Sequence, residues 1–163
     1  SLEGLAQGEW PMLRLMERFR AGAGPQGGCM LVASASCWEV FDVPGDALQL
    51  VVIDKLPFPP PGDPLVEART LQIEHSGGSA FKEYALAEAA VALKQGAGRL
   101  IRHESDRGVL VVCDSRLVRM GYGKRLIAAL PPMRRLSGAE EFHAALEDLA
   151  SVTRISTTDQ TFL

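Results

Sequence analysis

Leu48-Gln49-Leu50-Val51-Val52-Ile53 runs into Asp54-Lys55-Leu56-Pro57-Phe58-Pro59-Pro60-Pro61-Gly62 and then Asp63-Pro64. The first six residues form an apolar, partly β-branched run, the pattern of a strand buried on both faces. The prolines remove amide donors and fix φ, so residues 55–61 cannot be regular structure. Asp63 followed by Pro64 reads as an N-cap with proline at the first helical position, opening a helix to about Glu74. Strand, loop and helix in this order are one building block of an α/β domain.

The same alternation extends in both directions. Upstream, residues 9–21 have the spacing of an amphipathic helix, with Leu13, Met16 and Phe19 or Arg20 a turn apart. A Gly/Pro-rich loop over 21–28 leads to Cys29-Met30-Leu31-Val32-Ala33, a short buried strand that ends in small polar residues. Downstream, residues 75–79 read as a flexible loop. Residues 81–95 are Ala-rich and helical, with Tyr84, Ala85, Ala89 and Leu93 as the expected buried stripe. Gly108 to Cys113 is a third apolar strand. Residues 121–130 form a short helix that Pro131-Pro132 ends. Ser137-x-x-Glu140 is a capping box opening a helix through about Leu149, and the last dozen residues read as extended and polar before Phe162-Leu163. Apolar strands alternating with helices predict an α/β fold with a parallel sheet flanked by helices.

A chain of 163 residues, 47% hydrophobic and 23% charged, has the size and composition of one globular domain. It holds no run of about 18 apolar residues, so no membrane span is expected. The beginning of the chain lacks the features of a secretory leader. Cys29, Cys37 and Cys113 lack CxxC spacing, which predicts neither a disulfide framework nor a zinc site. Cys29 and Cys113 lie in apolar runs and are expected in the core. A reducing, cytoplasmic location follows as an expectation. His75, His103 and His143 lack ligand-like spacing, so no metal ligands are assigned. Net charge is −3, but residues 94–135 hold ten Lys and Arg against three acids, a net +7, and the remainder carries −10. Such a segment suits phosphates of a nucleotide or a nucleic acid; a scattered solvated surface is the alternative.

In α/β sheets ligands gather where strands end. Three segments stand at such places. The first, Ser34 to Gly45, offers hydroxyls, carboxylates and an aromatic ring in Ser34, Ser36, Trp38, Glu39 and Asp42. The second is Asp54-Lys55-Leu56-Pro57-Phe58. The third is Gln95-Gly96-Ala97-Gly98-Arg99-Leu100-Ile101-Arg102, in which two arginines three residues apart point the same way if they share a helical turn. Paired guanidiniums bind phosphate through planar, permanently charged forks. Each segment has a plainer alternative. Trp38 can stack on a base or fill a core, Glu39 and Asp42 can cap a loop, Lys55 can be solvated, and the arginines can be a surface pair.

The run Ala33 to Gly45, the run IDKLPFPPPGDPLVEAR over 53–69, and QGAGRLIR with Asp106-Arg107-Gly108 together resemble the second motor domain of DinG/YoaA-type helicases. These belong to the XPD-like branch of superfamily 2, and the likeness is greatest to the YoaA-like bacterial members. It covers roughly residues 7–135. It implies a RecA-like, P-loop-NTPase-like domain over 1–136, with its first strand missing upstream of Leu5, and an added helix and tail over 137–163. It implies ATP-driven 5′→3′ movement on single-stranded DNA in repair or replication, with ATP and Mg²⁺ held between two motor domains. Gln95, Arg99 and Arg102 match the motif whose arginines reach the phosphates. Trp38, Glu39 and Asp42 match the motif that joins DNA to nucleotide, with Gly98 also near the nucleotide and Ser34, Ser36, Trp38 and Lys55 on the DNA side. That motif normally reads Trp-Glu-Gly followed by valine and aspartate; here Val40 stands in place of the glycine and is followed by Phe41. The sequence has no GxxxxGK[ST] loop, so the resemblance implies that a first motor domain supplies it, along with the cysteines of an iron–sulfur cluster. It also implies a fragment inactive alone, and the chi subunit of the DNA polymerase III clamp loader as a partner. An interaction module docking on a replication protein is the alternative function.

Overall fold

The computed structural model describes residues 3–22, 28–35, 37, 48–101 and 106–158. Its elements in chain order are β1 (Glu3–Ala6), α1 (Met12–Arg20), β2 (Cys29–Val32), β3 (Leu50–Ile53), α2 (Pro64–His75), a π-helical segment (Phe81–Ala85), α3 (Leu86–Gly98), β4 (Val109–Val112), α4 (Arg116–Arg119), α5 (Gly123–Ala129) and α6 (Ala139–Thr158). The chain divides into two compact units, one of residues 1–51, 99–110 and 133–163, the other of residues 52–98 and 111–132.

In the first unit β1 and β2 pair in parallel, Glu3 opposite Cys29 and Ala6 opposite Val32. β1 is a strand that the sequence did not suggest: four residues with one strongly apolar side chain, Leu5, carry almost no periodic signal. Its partner supplies what the sequence lacks, since Leu5 is buried with Leu15, Met16 and Phe19 of α1 and with Cys37. α1 starts after Pro11, whose carbonyl accepts from the Arg14 and Leu15 amides at 2.9 and 3.1 Å. It stops at Gly22, which adopts φ +66° and donates to the Phe19 carbonyl. The buried face of α1 is Leu15, Met16 and Phe19, and Leu13 faces outward.

The expectation of strands buried on both faces is corrected here. Met30 and Val32 of β2 are 54% and 58% exposed, and Val52 of β3 is 56% exposed. Alternate residues of a strand face opposite ways, and among the described residues only one face of β2 is packed in its unit, against α1. One cysteine is corrected too: Cys113 is exposed, whereas Cys29 is half-buried against the core of the first unit and Cys37 is the buried thiol.

β3 and β4 pair in a second two-stranded sheet. The Val109 amide donates to the Gln49 carbonyl and the Cys113 amide to the Ile53 carbonyl, both at 2.9 Å. The bonds advance in the same direction along both strands, so this pair is also parallel.

In the second unit the Asp63 carboxylate accepts from the Leu65 and Val66 amides at 2.8 and 3.3 Å, with Pro64 opening α2 as the sequence predicts. Residues 76–79, expected as a flexible loop, are tied. The Gly78 amide returns to the Ile73 carbonyl, Gly77 adopts φ +78°, and the Ser79 amide donates to Glu83 Oε1 at 2.9 Å. The helix expected over 81–95 begins with one π turn, which shifts the buried stripe to Leu86, Ala89, Leu93, Gly96 and Ala97. Tyr84 and Ala85 are half-buried. The small residues of that stripe lie on the helix that packs against α5, where Gly123 and Leu126 are buried. α4 is an added short helix that the sequence did not suggest.

α6 starts one residue later than the capping box implies. Gly138 offers its carbonyl to the Phe142 amide at 3.1 Å, and the carboxylate that returns to the Ser137 amide is Glu141, at 2.7 Å, not Glu140. The helix continues to Thr158, past the expected end near Leu149 and through residues read as extended.

Candidate functional site

The described residues divide the sequence-derived site into well-placed and undescribed parts. Ser36, Trp38, Glu39, Asp42 and Arg102 lie outside the described residues. Ser34 stands exposed just past β2, and both its amide and its hydroxyl donate to Gln7 Oε1, at 2.8 and 3.0 Å. Gln7 itself follows β1 and donates its amide to the Val32 carbonyl at 2.9 Å. The ends of β1 and β2 are thus fastened together where the Ser34–Gly45 segment begins, and Gln7 is a contributor that the sequence reading missed. No periodic or motif signal marks it.

Gln95 and Gly98 lie on α3, Gln95 exposed and Gly98 half-buried as its last residue. Arg99 is half-buried in the turn that follows. Arg99 thus lies beyond the end of α3, while Arg102 is outside the described residues. Leu100, next in the motif, is buried, and a Cβ on Gly108 would sit 2.5 Å from its Cγ. That close approach fixes the backbone directly after Arg99, within the same unit.

Lys55 is exposed after β3. The next amide, Leu56, donates to Asp114 Oδ2 at 3.0 Å. Asp114 follows β4 and also accepts from the Arg116 amide at 3.0 Å and from Arg116 Nη2 at 2.6 Å. These bonds, Arg116 first, hold its carboxyl well below the usual carboxylate range. The Arg116 guanidinium lies 5.5 Å from the Phe58 ring centroid. Phe58, Phe81 and Tyr122 pack as a triad with centroids 5.3 to 5.9 Å apart. In the sequence Arg116 stands out only as one cation of the basic segment. An acid and an arginine two residues apart at the end of an apolar strand were the available signal.

Lys94, Arg107, Arg116, Arg119, Lys124, Arg125, Arg134 and Arg135 of the basic segment are exposed. Trp10 is partly exposed, with the Arg14 guanidinium 4.8 Å and the Arg18 guanidinium 5.5 Å from its ring centroid, and Arg18 is also ion-paired with Glu3. Among the described residues no three His, Cys, Asp or Glu side chains are grouped to hold a metal ion. No described helix is long and apolar enough to cross a membrane.

The comparison with protein families decides the relationship: the helicase C-terminal domain family matches residues 2–133. This chain belongs to the helicase C-terminal domain family. Members similar to it include the ATP-dependent DNA helicase YoaA of Escherichia coli (strain K12), 49% identical over 135 residues, covering 83% of this chain and 21% of that protein. The ATP-dependent helicase DinG of Mycobacterium tuberculosis (strain ATCC 25618 / H37Rv) is 43% identical over 146 residues, covering 90% of this chain and 21% of its own length. A protein of Bacillus subtilis (strain 168) named 3′-5′ exonuclease DinG is 35% identical over 118 residues, covering 72% of this chain and 12% of that protein. The chain thus spans about a fifth of the length of the two helicases. The family's match ends before α6, which begins at Ala139.

Proposed function

We propose that this chain is the RecA-like second motor domain of a bacterial, cytoplasmic ATP-dependent DNA helicase that moves 5′→3′ on single-stranded DNA in repair or replication. The observation that carries this reading is the family match over residues 2–133, joined to relatives named as helicases at 49% and 43% identity. Both strand pairs are parallel, as that architecture requires, and the candidate residues Ser34 and Lys55 stand where β2 and β3 end.

In this reading Arg99 and Arg102, with Gln95, act on the phosphates of an ATP whose β- and γ-phosphates and Mg²⁺ are cradled by a first motor domain. The chemistry of the donors fits that division. Guanidiniums stabilise phosphoryl oxygens but cannot ligate Mg²⁺, and this sequence has no phosphate-cradling GxxxxGK[ST] loop. Glu39, Asp42 and Gly98 complete the nucleotide side. Ser34, Ser36, Trp38 and Lys55 lie along the DNA, with Trp38 stacking on a base. The described cysteines do not fit an iron–sulfur cluster, since they range from buried Cys37 to exposed Cys113 without grouping; the cluster belongs to the first motor region. The test is an ATPase assay on this 163-residue chain with single-stranded DNA and Mg²⁺. No turnover is expected, and turnover above background would mean that a complete site exists within it.

A second reading is favoured by one observation: α6 lies beyond the family's match. Residues 137–163 then serve as a docking module for a replication protein, the clamp-loader chi subunit being the candidate. Loss of chi from a pull-down when residues 151–163 are removed supports it, and unchanged retention refutes it.

A further inference from the structure

The second unit contains an Asp114–Arg116 pair fastened to the loop that carries Lys55, and the helicase reading gives that pair no role. Ile53 closes β3 with its carbonyl bonded to the Cys113 amide at 2.9 Å. Three residues on, the Leu56 amide is bonded to Asp114 Oδ2 at 3.0 Å, and the Leu56 side chain is buried. Asp54 and Lys55 therefore span two points that are both fixed to consecutive residues at the exit of β4. The Asp114 side chain is only 8% exposed, and Arg116 holds it from the same short segment by its amide, Nε and Nη2. Arg116 reaches over Phe58, which the Phe81 and Tyr122 rings flank, so the loop is gripped again two residues past Leu56.

A lysine stem is flexible, and its ammonium lands reliably only when its backbone is held. Arg116 is already neutralised by Asp114 and supplies grip rather than free charge. We infer that the Asp114–Arg116 pair is a positioning device that presents Lys55 to a backbone phosphate of single-stranded nucleic acid. This rests on the reading of Lys55 as a strand contact.

The test is fluorescence anisotropy of this chain with a labelled oligo-dT at low and rising salt, as a double-mutant cycle. Lys55→Ala is expected to weaken binding roughly fivefold and to flatten the salt dependence by about 0.7 in log–log slope. Asp114→Ala removes a negative charge and on charge alone should tighten binding. The device instead predicts weakening, the same loss of slope, and less than about a 1.5-fold further effect of Lys55→Ala in that background. Circular dichroism checks the fold; if Asp114→Ala unfolds, Arg116→Lys, which keeps the charge but loses the fork, is expected to show the same coupling. No binding by the unsubstituted chain, or a silent Lys55→Ala, overturns the strand-contact reading and the inference with it. A harmful Lys55→Ala whose effect is undiminished in the Asp114→Ala or Arg116→Lys background overturns the inference alone.

Discussion

Gly123 shows how much one missing methyl group can decide. A Cβ at that position would lie 1.9 Å from the Leu117 carbonyl oxygen, a backbone atom that cannot swing aside. Gly123→Ala is therefore expected to destabilise the fold by about 3 kcal/mol, read from urea unfolding. Asp63→Ala removes the acceptor for the Leu65 and Val66 amides and is expected to cost about 1 kcal/mol by the same measurement. Asp114 makes a pH-dependent prediction. Its folded-state carboxyl is held below the ordinary carboxylate value of about 4, so its contribution is complete above that value and fades as pH falls below it. The stability gap between the chain and Asp114→Asn should be flat from pH 7 to about 5 and narrow further into acid. The thiols should separate by access. Burial pushes Cys37 upward from the usual thiol range, and Cys113 is exposed. Alkylation followed by mass spectrometry should label Cys113 first and Cys37 last. At this scale legibility followed locality. Asp63-Pro64 was readable because a cap and its amides are neighbours in sequence. Gln7 with Ser34, and Asp114 with Leu56, join residues 27 and 58 apart, and no local pattern announces such bonds.

The strands and long helices were readable because apolar period and start signals agree over several residues. Their phases were less so. One π turn at Phe81–Ala85 advances α3, so the buried stripe runs through Leu86 rather than Tyr84 and Ala85. Leu93 is fully buried on that stripe, and Leu93→Ala is expected to cost about 2–5 kcal/mol, above any exposed leucine such as Leu65. β1 escaped notice because parallel pairing with β2, not its own composition, makes it a strand. At α6, the glycine after Ser137 took the capping position and moved the partner carboxylate to Glu141.

For the whole molecule, membership of the helicase C-terminal domain family rests on residues 2–133 and was legible from three ordered segments, at 33–45, 53–69 and 95–108. Spacing leaves a shared helical turn for Arg99 and Arg102 as a condition only; Arg99 stands in the turn after α3, which ends at Gly98, and Arg102 lies outside the described residues. A finger needs only reach and charge, so this placement leaves its proposed role intact. The decisive measurement is DNA-stimulated ATP turnover by the full-length parent protein carrying Arg99→Ala. A loss on the order of 10³-fold in kcat, with ATP binding and the fold retained, is the expected result. Turnover equal to that of the unsubstituted enzyme would contradict the assignment of this domain as the supplier of the phosphate-clasping arginine.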